Sequence, residues 1–317
     1  MDIAYLLFLQ DIRNGLSESV TDFMVHVSDF AVSYLYVMAV LVYWCLDKRC
    51  GLHALGSWCC VVAINSVVKL TACVYRPWIR DARVVPAGDS IKTATGYSFP
   101  SGHSVTASST YGSFAVDAWK KIRWISFVCI FMVLLTGFSR NFLGVHTPQD
   151  VIVGVTEGTL TAIGLYFVFG YLEKHPEKEN WFLIGGVVYC VAALCYITFK
   201  PYPMDYVDGA LLVDPDKMMN DGYGDLAKLL TLCVCRFIDK TWIRFRPELT
   251  KKSLAAGIVG VAILMLMEDS LKAPLVELLG GHWGKFMKSV IVLTFALVIW
   301  PLVLKAVQKK EQQTAAA

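Results

Sequence analysis

The chain has 317 residues, 56% of them hydrophobic and 17% charged, with a formal net charge of +3. So small a charge leaves no electrostatic footprint for nucleic acid, and so apolar a composition excludes a pair of soluble domains. Several apolar runs approach the ~20 residues needed to cross a bilayer, which predicts an all-α, polytopic transmembrane helical bundle.

Residues 1–27 set Leu6, Leu9, Ile12, Leu16, Val20 and Phe23 at helical spacing among acidic and polar residues. That pattern predicts an amphipathic segment lying in the membrane interface. A first span is expected over 28–46, closed by Asp47-Lys48-Arg49, and a second over 52–74 with Lys69 near its far end. A polar connection, 75–99, precedes a third span that starts at Pro100 and stops before Lys120-Lys121. Further spans are expected over 124–141, 148–171 and 181–199. An aspartate-rich loop, 200–224, reads as solvated and leads to spans over 225–240 and 253–271. After an interfacial stretch at 272–286, the last span covers 287–306. The expectation is therefore about nine spans. They group into a core at 28–171, C-terminal transmembrane helices at 172–306 and a polar tail at 307–317.

Charge asymmetry orients the bundle. One side receives Lys48/Arg49, Lys120/Lys121/Arg123, Lys174/Lys178, the basic stretch 240–252 and Lys305/Lys309/Lys310, while the aspartate-rich loop falls on the other. By the positive-inside rule the N-terminus is extracytoplasmic and the C-terminus cytoplasmic. The loops at 75–99 and 142–147 then lie outside, in an integral membrane protein of a cell, inner or endoplasmic reticulum membrane. The ten cysteines lie mostly within apolar runs, match no zinc or disulfide spacing, and read as small buried hydrophobes.

Three polar blocks fall on that outer face. The first is Lys69 with Arg76-Pro77; the second is Pro100-Ser101-Gly102-His103; the third is Ser139-Arg140 with His146 and Asp150. Taken singly, Lys69 and Arg76 are ordinary snorkelling side chains, and Ser101-Gly102 is an ordinary helix entry. Together they supply three cations, helix-start amides around Ser101 and Gly102, and two histidines. Thr147 suits an N-cap and Pro148 a first helical position, so Asp150 follows His146 by one turn and can orient its imidazole. Such a set suits a dianionic phosphate better than a carboxylate or a metal.

The blocks resemble, without a gap, the three-part signature of the type 2 phosphatidic acid phosphatase (PAP2) superfamily, over residues 69–150. The expected span count also resembles its glucose-6-phosphatase and sphingosine-1-phosphate phosphatase branches. The resemblance implies that His146 attacks phosphorus to form a phosphohistidine, Asp150 orients it, and His103 protonates the leaving alkoxide. Lys69, Arg76, Ser101, Gly102 and Arg140 would hold the phosphoryl oxygens. It implies no cofactor and no metal, and a lipid or other small phosphorylated substrate in contact with membrane lipids. A sugar phosphate substrate, a phosphotransferase and a non-catalytic transporter or binding protein are the alternatives. Oligomeric state is not legible. Glu157 is expected to make a structural hydrogen bond, and His26, His53, His175 and His282 have no evident partners in sequence.

Overall fold

The computed structural model describes residues 2–94, 96–207 and 209–316. Two N-terminal helices, α1 (Asp2–Asn14) and α2 (Glu18–Ser33), precede α3 (Leu35–Cys45) and the long α4 (Lys48–Ala72). A loop carrying the four-residue α5 (Pro77–Arg80) and a 3-10 turn at Gly88–Thr93 leads to α6 (Gly102–Ala118). Next come α7 (Arg123–Phe142), α8 (Pro148–Lys174) and α9 (Glu179–Phe199). A small hairpin pairs Tyr206 with Leu211 and Val207 with Ala210. The chain closes with α10 (Pro215–Ile238), α11 (Lys251–Ser270), α12 (Lys272–Thr294) and α13 (Trp300–Ala316).

The fold is an all-α membrane bundle, and the expected count of nine spans is not confirmed. Among the described residues six helices are long and apolar enough to cross a bilayer, or seven if α2 and α3, bent by 46°, count as one. Two expected spans fall short for different reasons. The helix at the third span, α6, is only 17 residues long and rich in Ser and Thr. At the seventh, α10 begins at Pro215 rather than 225 and carries Asp216, Lys217, Asp221, Asp225 and Lys228 in its first fourteen residues. The division drawn at 27 falls inside α2.

Although α6 is polar, it lies at the centre of the bundle. Ser104, Ser108, Ser109, Thr110 and Ser113 are all fully buried. Most of their hydroxyls return to backbone carbonyls: Ser108 to Ser104 at 2.7 Å, Ser109 to Thr106 at 3.1 Å and Ser113 to Ser109 at 2.8 Å. Satisfied in this way, hydroxyls cost little away from water, and their small size lets neighbouring helices approach. The matching feature on α8 is Gly154-x-x-x-Gly158. A Cβ on Gly158 would lie 2.7 Å from the Val105 carbonyl, and one on Gly154 2.9 Å from that of Ser101. Only glycine admits so close a backbone crossing, and this crossing sets the α6 start beside the α8 start.

Caps fix where the site-bearing helices begin. Asp47 accepts from the Cys50 amide at α4, and Ser101 from the Ser104 amide at α6. At α8, Thr147 and Asp150 form a reciprocal capping box, with Pro148 in the first turn. The C-terminal helices pack directly on this core: Leu55 of α4, Leu226 of α10 and Leu293 of α12 share one apolar cluster. Trp44 Nε1 donates to the Ala296 carbonyl at 2.7 Å and ties α3 to the π-helical turn Phe295–Ile299. His53 has partners that its sequence neighbourhood did not reveal, Asp117 and the Ala162 carbonyl, each at 2.8 Å.

Candidate active site

The three polar blocks converge. The last turn of α4 brings Lys69, the following loop brings Arg76, the α6 start brings Ser101, Gly102 and His103, and the α7–α8 junction brings Arg140, His146 and Asp150. Lys69, Arg76, Gly102, His103 and His146 line one cavity of about 320 Å³. Ser101, Arg140 and Asp150 are buried behind that wall.

His146 is clamped from both sides. Nη1 of Arg76 lies 2.8 Å from Nε2, and Oδ2 of Asp150 lies 3.4 Å from Nδ1. A guanidinium only donates, so Nε2 is the acceptor and Nδ1 carries the proton, directed at the carboxylate. The Asn141 amide holds the His146 carbonyl at 2.9 Å. Asp150 in turn accepts from the Ser98 hydroxyl at 2.6 Å and from the Thr147 amide at 2.9 Å. Burial pushes the His146 imidazole well below its ordinary pKa, and the charges of Arg76, Arg140 and Lys69 push it further. It is therefore neutral at physiological pH.

The cations divide into braces and open donors. Lys69 Nζ donates to the Pro100 carbonyl at 2.8 Å and the Tyr97 carbonyl at 3.4 Å, and so fastens the segment before α6. Arg76 also donates to the carbonyls of Gly96 at 2.9 Å and Val145 at 3.0 Å. Arg140 is fully buried and donates through Nη1 to Ser28 at 2.6 Å, but its Nε and Nη2 have no partner. Nε2 of His103 is likewise buried without a partner. An unsatisfied buried polar atom costs about 1–3 kcal/mol, more when charged, so these atoms are open to a ligand.

The backbone donors differ from expectation in one respect. The Ser101 amide is committed to the Asp150 carbonyl at 3.0 Å, which couples the α6 start to the α8 start. The amides of Gly102 and His103, in the first turn of α6, have no intrahelical acceptor and remain the anion-facing pair.

Several residues here escaped the sequence reading. Ser98 and Ser28 have no motif or charge to single them out. Asp221, Asp225 and Lys228 lie in a segment that reads as a solvated loop and the span after it. They sit instead on α10 and line the cavity with Asn65 and Ser66 of α4. Asp225 accepts from Ser66 at 2.5 Å and from Lys228 at 2.7 Å, while Asp221 pairs with Lys285. Glu157 accepts from Asn65 at 3.1 Å, the structural bond expected of it. In the loop, Arg80 pairs with Asp2 and Arg83 with Asp81. Among the described residues no three His, Cys, Asp or Glu side chains are grouped to hold a metal ion.

Residues 51–174 match the PAP2 superfamily model, a stretch that encloses all three polar blocks. The chain is 31% identical over 167 residues to a dolichyldiphosphatase of Saccharomyces cerevisiae, covering 49% of this chain and 66% of that protein. It is 28% identical over 133 residues to an undecaprenyl-diphosphatase of Sulfolobus acidocaldarius, covering 41% and 62%. With a phosphatidylglycerophosphatase B of Bacillus subtilis it shares 32% over 108 residues, covering 32% and 51%. The matched stretches thus span between half and just under two thirds of these relatives. No solved structure matches the chain. The likeness to the glucose-6-phosphatase and sphingosine-1-phosphate phosphatase branches rested on nine spans and loses that support.

Proposed function

Because the chain carries a PAP2 superfamily domain over residues 51–174, we propose that it is a membrane-embedded phosphatase acting on an amphipathic lipid phosphate or diphosphate. The observation that carries this reading is the clamp on His146. Arg76 and Asp150 hold the imidazole oriented beside a cavity, and burial with the surrounding cations keeps it neutral. Around it are a histidine nitrogen and two guanidinium donors still without partners. Phosphoryl transfer asks chiefly for in-line positioning and for donors on the equatorial oxygens, and this set supplies both.

In the proposed reaction the phosphoryl group enters between Arg76, Arg140 and the amides of Gly102 and His103. Its oxygens draw the Arg76 N–H from Nε2, which frees that lone pair to attack phosphorus. Before substrate binds, burial and the neighbouring cations hold His103 well below its ordinary pKa. It takes up a proton as the dianionic phosphoryl group binds beside it, and delivers that proton to the leaving oxygen as the bond breaks, while Asp150 stabilises the phosphoimidazolium through Nδ1. Water, deprotonated by the now neutral His103, then cleaves the N–P bond and regenerates His146. Lys69 holds the segment before α6, so that the Gly102 and His103 amides keep their aim. By charge asymmetry the site faces the extracytoplasmic side and the C-terminus the cytoplasm.

Phosphate release from a panel of lipid phosphates, lipid diphosphates and sugar phosphates, with and without chelator, tests the reading. Acid-labile label trapped on wild type but not on His146→Ala supports the intermediate; full turnover by His146→Ala sinks it. One observation favours a second reading. Asp221, Asp225, Lys228, Asn65 and Ser66 give the cavity a polar wall, which suits a hydroxyl-bearing leaving group such as a sugar. Faster release from sugar phosphates than from any lipid in the panel would select it.

A further inference from the structure

The far end of α4 from His146 opens on a second cavity, of about 550 Å³, within the size range of ligand pockets. Lys48 on its rim and Lys69 at the candidate active site sit at opposite ends of α4, about 30 Å apart at 1.5 Å per residue. The two cavities therefore face opposite leaflets.

The walls of this cavity are apolar: Leu52 and Gly56 from α4, Leu165 and Phe169 from α8, Leu183 from α9 and Leu232 from α10. Its rim is cationic, and four of the rim cations are matched by carboxylates. Arg49 pairs with Glu173 at 2.6 Å and Lys48 with Asp239 at 2.6 Å. Arg236 and Lys240 share Glu179 at 2.7 and 3.2 Å. Arg244 and Arg246, exposed on the same rim, have no carboxylate partner among the described residues.

Arg244 carries a second mark. It closes the π-helical turn Asp239–Ile243 at φ +51°, in the left-handed region that glycine adopts freely and other residues adopt at a cost. An arginine held at a glycine position points to a use for its side chain.

We propose that this cavity binds an anionic phospholipid from the leaflet at the basic face, with its acyl chain between α4, α8, α9 and α10 and its headgroup on Arg244 and Arg246. A zwitterionic lipid would leave the two arginines uncompensated, and a soluble anion would leave the apolar walls unfilled. Basic pockets between spans are a recurrent form of lipid recognition. The bound lipid joins α4 and α8, inside the family-matched stretch, to α9 and α10 beyond it. This inference rests on membrane insertion and is independent of the proposed phosphatase chemistry.

The test uses the full-length protein in detergent, read by native mass spectrometry. It is titrated with phosphatidylglycerol, with phosphatidylcholine of the same chains, and with glycerol 3-phosphate as a chainless control. Phosphatidylglycerol is expected to be retained over both. Arg244→Gly and Arg246→Ala should each weaken it on the order of five-fold. Arg244→Gly should at the same time melt no lower than wild type in lipid-free detergent, because glycine suits the backbone there. Equal retention of the two phospholipids overturns the proposal. So does glycerol 3-phosphate binding as well as the lipid, or unchanged retention in the double variant.

Discussion

Ser98 donates to Oδ2 of Asp150 at 2.6 Å, the same oxygen that faces Nδ1 of His146 at 3.4 Å. The serine fixes the carboxylate that fixes the imidazole, and its own oxygen also lies 3.4 Å from Nδ1, so it positions His146 both through Asp150 and directly. Ser98→Ala should lower kcat by about 10-fold with little change in KM, the lower end of the roughly 10–100-fold seen for residues that orient ligating histidines in metal sites. Ser98→Thr, which keeps the hydroxyl, should recover most of the loss. A purely structural role would lower the melting temperature and leave the activity of the folded fraction intact.

The two histidines should separate by leaving group. His146→Ala removes the proposed nucleophile and should cost on the order of 10⁴-fold or more on every substrate. His103→Ala removes the proposed acid, worth roughly 10²–10⁴-fold with an alkoxide leaving group. With an aryl phosphate, whose phenolate departs unaided, the His103→Ala loss should shrink to a few-fold. Equal losses on both substrates would remove His103 from the acid role.

What the sequence made legible, and what it hid, follow one physical rule. Lys69, Arg76, Arg140, His146 and Asp150 stood out because charges among apolar runs are expensive and need a reason. Ser98 carries no such cost, and nothing in its neighbours marks it. Asp221 and Asp225 were misread because charges at a helix start look like those of a solvated loop until the packing of α10 on α4 is known. The same weakness bears on the expected count of nine spans, which the length and hydropathy of the helices do not confirm. The polar run of α6 reads as a crossing only from its position between charged loops, and most of its hydroxyls are hidden by bonds to carbonyls three or four residues away. The Gly154–Gly158 pair was present in the sequence, but its partner surface on α6 was not.

Arg140 supplies a ligand-dependent test of stability. Its Nε and Nη2 are buried without partners, an energetic liability in the empty protein. Vanadate, a phosphate mimic, should therefore raise the melting temperature of wild type, with about 2.7 kcal/mol of stabilisation at 100 times its Kd. Arg140→Met should melt no lower than wild type without ligand and should lose most of the vanadate effect. Stabilisation of the variant equal to that of wild type would show that the oxyanion does not use this guanidinium.

The pH profile follows from the environment of His146. Its pKa lies below the ordinary value of 6.5, so the neutral, nucleophilic form persists as pH falls past that point. Protonation, and with it the loss of kcat/KM, should begin only further down, because kcat/KM reports the free enzyme. The acid limb, corrected for ionisation of the substrate's own phosphate, should have its midpoint below 6.5. Since the Arg76 charge contributes to the depression, residual activity of Arg76→Gln should show that limb displaced upward. A wild-type midpoint at or above 6.5 would contradict the buried, cation-flanked imidazole.

The α6–α8 crossing offers a mutation remote from the charges. A Cβ on Gly158 would lie 2.7 Å from the Val105 carbonyl and 2.8 Å from the Ser109 amide. Neither backbone atom can yield without moving α6 as a whole. Gly158→Ala should therefore destabilise the protein by about 1–3 kcal/mol, the usual range for overpacking. The displacement should also reach the chemistry. The α6 start carries His103, and the Ser101 amide is bonded to the Asp150 carbonyl, so shifting α6 misaligns acid and nucleophile together. The expected signature is a lower melting temperature accompanied by a 10-fold or larger fall in kcat of the folded protein, because small misplacements of reacting groups cost about 10²-fold. Gly164, further along α8 with open space beyond its Cα, is the control: Gly164→Ala should change neither.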